Sequence, residues 1–133
     1  RALFGRAYVL SEMPGCTDQA IEAARLAVAA DPGSISYRCA LAVLLARARH
    51  DDEASQLIEK ILEENSSGPV HYQAACVFGL ASRQESQLVE RAIEHLQQAL
   101  AQGYGRELLA TDPDLDPLRI DPRFRELATG SQN

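Results

Sequence analysis

Apolar residues recur along most of this chain at steps of three and four, the spacing that gathers side chains on one face of an α-helix. Ala20, Ile21, Ala24, Ala27 and Val28 form one such stripe, opened by Thr17 or Asp18 as N-cap. Asp31-Pro32-Gly33 stops it, because proline cannot continue a helix and glycine readily takes the left-handed conformation. A segment from Ser34 carries Leu41, Ala42 and Leu45, and the next carries Ala54, Ile58 and Ile61 before Asn65-Ser66-Ser67-Gly68 ends it ahead of Pro69. Tyr72, Ala75 and Cys76 mark a further helix, and Ala92, Leu96 and Ala99 the one after it. The pattern predicts an all-α fold of helical hairpins. Their inner turns fall at Pro14-Gly15, at His50-Asp51-Asp52 with an aspartate as cap, and from Ser82 to Ser86.

A longer period lies over this one. Ala20 and Ala54 stand 34 residues apart in equivalent helices, while Ala54 and Ala92 stand 38 apart, a difference that a longer surface turn in the last hairpin accounts for. Phe4-Gly5-x-x-Tyr8, and more loosely Leu41-Ala42-x-x-Leu45, match the Leu-Gly-x-x-Tyr element of a repeat's first helix. In these features the chain resembles the tetratricopeptide repeat, whose units bury their apolar faces only by stacking. The resemblance implies a right-handed α-α superhelix of about three units, at residues 1–33, 34–68 and 69–103, within a single domain over 1–129.

Beyond Gly103 the pattern changes. Asp112-Pro113, Asp116-Pro117 and Asp121-Pro122 each pair a favoured N-cap with the residue favoured at the first helical position, so a short helical turn is expected to start at each. Leu108, Leu109, Leu115, Leu118, Ile120, Phe124 and Leu127 supply apolar surface for a C-terminal cap over residues 104–129, followed by a disordered tail at 130–133. Tyr72-x-Ala-Ala-Cys-Val-Phe-Gly-Leu80, Glu90-Arg-Ala-x-x-x-Leu-x-x-Ala99, Gly103-Tyr104 and the Asp-Pro-rich stretch from Leu109 to Phe124 together resemble the C-terminal tetratricopeptide region of bacterial multidomain proteins, notably eukaryotic-like serine/threonine kinases. That resemblance implies a regulatory or scaffolding attachment of a larger protein. No kinase motif is present to carry a catalytic role over.

Composition narrows the partner. With 13 Lys and Arg against 19 Asp and Glu, the net charge of −6 argues against nucleic acid and anionic lipid, which need clustered cations. Asp51, Asp52, Glu53, Glu59, Glu63 and Glu64 around Lys60 read as the solvated face of one helix. Cys16, Cys39 and Cys76 are odd in number and lack a Cys-x-x-Cys pair, which suggests reduced thiols in a cytoplasmic setting rather than a disulfide framework or zinc site. The longest apolar run, Cys39 to Ala46, is far short of the roughly 20 residues of a membrane span. No signal peptide is read, and the start at Arg1 in mid-helix suggests part of a longer protein.

Chemistry has little purchase here. Asp112, Asp114 and Asp116 imitate the opening of a calcium loop, but Pro117 stands where glycine is required and Arg123 where a bidentate glutamate is, so helix capping is the better reading. His50, His71 and His95 are scattered, and Cys39 and Cys76 occupy packing positions. Gly103-Tyr104-Gly105 is a helix stop rather than a phosphate loop. These readings predict no catalytic, metal or cofactor site, and leave a thiol- or metal-dependent hydrolase as the contrasting enzyme class.

Recognition is expected in the concave groove lined by the first helices. Carried onto this sequence, its residues are Arg6 and Val9, then Cys39, Ala40, Val43 and Arg47, then Gln73, Ala74 and Val77. The lining is small and apolar, suited to a peptide or amphipathic helix of a protein partner, with Arg6 and Arg47 reading acidic or carbonyl groups. So few cations argue against a clamp for a charged C-terminal tail. The same face could instead mediate self-association or docking on a neighbouring domain.

Overall fold

The computed structural model describes residues 17–129, and every regular element among them is helical. The expected first helix with Phe4, Arg6, Tyr8 and Val9, the Pro14-Gly15 turn, Cys16 and the tail at 130–133 lie outside the described residues. Backbone proximity divides the chain into two compact units, Arg1–Ile61 and Leu62–Asn133.

In the first unit, α1 (Thr17–Ala30) begins at Thr17, so Asp18 sits within the first turn and complements the helix dipole there. Ala20, Ile21, Ala23, Ala24 and Ala27 are buried as the stripe requires, whereas Leu26 is 50% exposed. The stop at Pro32 holds, but Gly33 is not left-handed. Ser34 N donates to the Asp31 carbonyl at 3.0 Å and closes the turn instead. Ser34 then caps α2 (Ile35–Arg47), its hydroxyl accepting from Tyr37 N at 3.2 Å, and α2 packs on α1. All eight residues from Cys39 to Ala46 are buried, as expected of a helix that is apolar around its whole circumference.

Arg49 ends α2 at φ 67°. His50 N donates to Leu45 O at 2.9 Å and Arg49 N to Ala46 O at 3.1 Å, a Schellman closure normally built on glycine. α3 (Asp51–Glu64) starts at Asp51 itself, so Asp51 and Asp52 lie inside the helix and act on its dipole rather than capping from outside. Ala54, Ile58 and Ile61 are buried at steps of four and three, and the acidic side chains at Asp52, Glu53, Glu59, Glu63 and Glu64 are exposed, as the pattern predicts. An exposed Arg25–Glu53 bridge at 3.0 Å ties α1 to α3, and its hydrogen bond holds the Glu53 carboxyl below its ordinary range.

The second unit is built on α4 (Gly68–Ala81) and α5 (Leu88–Ala101), which pack against each other. Gly68 is the first residue of α4 rather than the stop of α3. A Cβ there would stand 3.0 Å from Tyr104 Cβ, so crowding selects the glycine. The α4–α5 turn, six residues at 82–87, is fastened by Ser82 Oγ donating to Gly79 O at 2.6 Å and Arg83 Nε to Leu80 O at 2.7 Å. α5 buries Ala92, Ile93, Leu96 and Ala99 and closes on Gly103 at φ 82°, with Tyr104 N on Ala99 O and Gly103 N on Leu100 O, both at 2.9 Å.

Two 3₁₀ helices (Arg106–Leu108 and Pro113–Leu118) and α6 (Pro122–Thr129) complete this unit. The second 3₁₀ helix lies mainly on α4 and touches α5, and α6 lies on α5. Asp112 and Asp121 cap as expected, accepting from Asp114 N at 3.0 Å and Arg123 N at 2.8 Å. Asp116-Pro117 starts nothing. It falls inside the second 3₁₀ helix, and Asp116 pairs with Arg119 at 2.7 Å. Leu109, Leu115, Leu118, Phe124 and Leu127 are buried, but Leu108 is only half-buried and Ile120 is 79% exposed, pointing away from the cap's core.

Candidate functional site

The nine residues expected to line a groove have different fates. Arg6 and Val9 lie outside the described residues. Cys39, Ala40 and Val43 on α2, and Ala74 and Val77 on α4, are at most 5% exposed, so their side chains offer no open lining. These five lie in the apolar runs of α2 and α4 and are buried with them. Arg47 and Gln73 are half-buried, which leaves them as the described members that reach solvent. Burial also pushes the Cys39 thiol up to about 11, an effect that the nearby Arg38 charge only partly offsets.

A polar junction that sequence reasoning missed joins α4 to the cap. The Tyr72 hydroxyl donates to Asp112 Oδ2 at 2.6 Å, and the Cys76 thiol lies 4.0 Å from the same oxygen, one helical turn along α4. Burial, and then the bond to Asp112, drive the Tyr72 phenol far above its ordinary range, so it remains a donor. Its ring meets Tyr104 edge-on at 5.7 Å and leaves room at Gly105 for hydrogen alone. Arg119 binds the segment from the other side, donating to Leu109 O at 2.7 Å, Asp112 O at 2.8 Å and Asp116 Oδ1 at 2.7 Å.

Ligand atoms of Cys76, Asp112 and Asp114 gather within 4.8 Å of one another, the one grouping of metal-ligand types among the described residues. Asp112 spends one oxygen on the Tyr72 hydroxyl and the other on Asp114 N. Both bonds serve the fold by fixing the start of the second 3₁₀ helix on α4.

At the α4–α5 interface, His71 and His95 face each other with Nδ1 atoms 2.9 Å apart. The His95 ring also stacks on Phe78 at 5.5 Å, and the Arg91 guanidinium stands 4.2 Å from the Phe78 centroid. Burial, followed by the His71 and Arg91 charges, lowers His95 to about 4. The three histidines are thus not all scattered: two of them meet across 24 residues of sequence, while His50 stays exposed.

Among the described residues no helix is long and apolar enough to cross a membrane. No family model matches the chain, and neither the curated proteins nor the solved structures contain a match to it.

Proposed function

We propose that the chain is a non-catalytic protein-interaction module of the tetratricopeptide type, a right-handed superhelix belonging to a larger bacterial signalling protein. The observation that supports this is the recurrence of the hairpins. α1 and α3 are both 14 residues long and start 34 positions apart, at Thr17 and Asp51. α2 and α4 start 33 positions apart, at Ile35 and Gly68, each behind a serine. Arrays of such hairpins present extended surfaces to protein partners.

The partner we propose is a neutral peptide or helix whose carbonyl groups Arg47 reads, since the acidic balance of the chain disfavours an anionic one. Of the side chains expected to read it, those that reach solvent among the described residues are Arg47 in the first unit and Gln73 in the second. Peptide-display selection on the purified chain should enrich a consensus whose affinity drops about tenfold, or about 1.4 kcal/mol, in Arg47→Glu or Gln73→Glu. Unchanged affinity in both variants would refute the assignment of these surfaces.

One observation favours a second reading, in which the module docks on a neighbouring domain or on another copy. The five apolar positions are already covered, and Leu26 and Ile120 stand exposed elsewhere. A mass that rises with concentration in light scattering, with no peptide enriched, would select this reading.

A further inference from the structure

We infer that His71 and His95 form a proton-operated latch between α4 and α5, closed by one shared Nδ1 proton and opened by a second. The ring planes differ by 28° and the centroids lie 5.1 Å apart, while the two Nδ1 atoms are 2.9 Å apart. The centroid separation is close to the N···N distance plus the two ring radii. The rings therefore meet edge to edge, with both Nδ1 atoms near the line between them.

A neutral imidazole has one donor and one acceptor nitrogen. Two facing Nδ1 atoms attract only if one carries a proton and the other does not, so the closed latch fixes opposite tautomers on the two rings. A divalent ion shared by both rings would sit off the N···N line, at the near-tetrahedral angle that zinc prefers, with the lone pairs turned toward it. Here the lone pair and the N–H lie along the line, which suits a proton.

A proton on the second Nδ1 turns the contact into two N–H groups pointing at each other, whereas a proton on Nε2 of the donating ring leaves it closed. The charges acting on His95 are His71 across the interface and Arg91 on its own helix, both of the sign that opposes a further cation. Arg123 of α6 interacts with Glu90 and Glu94 on α5. The apolar neighbour, Phe78, offers a ring face and no counter-charge. The sign follows from His95 titrating at about 4 when folded, below the ordinary histidine value near 6.5. The unfolded chain binds more protons in that window, so stability present above about 6.5 is lost as pH falls through 4.

The test is imidazole ¹⁵N NMR with amide hydrogen exchange on the whole chain, from about pH 8 to about pH 3.5. At neutral pH one of the two rings should carry its proton on Nδ1 and the other on Nε2. In acid, the protection factors of amides of α4 and α5 around the pair, each rate being divided by the intrinsic rate at its pH, should fall about a hundredfold, since the shift from 6.5 to about 4 exceeds two units at tenfold each. In His71→Gln the side-chain amide accepts from a protonated His95, so the acid-induced loss of protection should shrink to the part that burial alone imposes. Nε2 tautomers on both rings at neutral pH would overturn the latch. So would an identical acid response in the variant, or displacement of the Nδ1 proton by added Zn²⁺ at neutral pH. Should His71→Gln fail to fold, the tautomers of the wild-type rings decide the matter alone.

Discussion

A single methyl at Gly105 probes how the cap is held. The residue has φ 100°, a conformation that L side chains rarely adopt, and a Cβ there would stand 2.6 Å from Tyr72 Cδ2 and 2.9 Å from Cε2. Tyr72 cannot retreat, since it is buried, hydrogen-bonded to Asp112 at 2.6 Å and packed on Tyr104. In Gly105→Ala the backbone term costs about 1–2 kcal/mol and the overpacking about 1–3 kcal/mol.

Gly103→Ala is the matched control, with φ 82° and nothing within 4 Å of the added methyl. It should cost the backbone term alone, about 1–2 kcal/mol. In urea unfolding with an unchanged m of about 2 kcal/mol/M, the Gly105 variant should fall about 1 M further in midpoint than the control. Equal midpoints would show that the Tyr72 ring is not fixed against the cap, and the account of the junction would fail.

Three other substitutions or reactions test separate parts of the fold. Arg49→Gly relieves a left-handed residue at φ 67° and should raise stability by about 1 kcal/mol, read as a higher urea midpoint. Arg119→Lys keeps the charge but cannot span acceptors on Leu109, Asp112 and Asp116 together, and should lower the midpoint by about 2 kcal/mol in free energy. With its thiol pushed up to about 11, Cys39 should react with a thiol reagent near pH 8.5 only after unfolding, as site-resolved mass spectrometry would show. The same shift makes stability fall as pH rises past the thiol's ordinary value of 9.0, because the unfolded chain releases that proton first.

What the chain makes legible is what local rules decide. Helix positions follow from the three-and-four spacing, and the Asp112 and Asp121 caps from Asp-Pro pairs, because both act within a turn or two. Arg49 gives no local sign of a left-handed conformation; it is seen only in the hydrogen bonds that close the end of α2. The Tyr72–Asp112 and His71–His95 contacts span 40 and 24 residues, and only helix packing brings those partners together. The unbroken apolar run from Cys39 to Ala46 is legible in the same local way, having no polar side and being buried throughout.

The cap is held on α4 and α5 by a segment whose form two prolines decide. α6 starts 34 positions after α5, at Pro122 against Leu88, and lies on α5. The second 3₁₀ helix lies on α4. Pro113 and Pro117 are four residues apart, the spacing at which an α-helix needs an N–H that Pro117 lacks and meets a ring clash at the Pro113 carbonyl. The segment therefore tightens to 3₁₀, and Arg119 satisfies the Leu109 carbonyl and joins Leu115 N on that of Asp112. On its outer side α6 exposes Arg123, Arg125 and Glu126. Two prolines and one arginine thus decide the form of this segment.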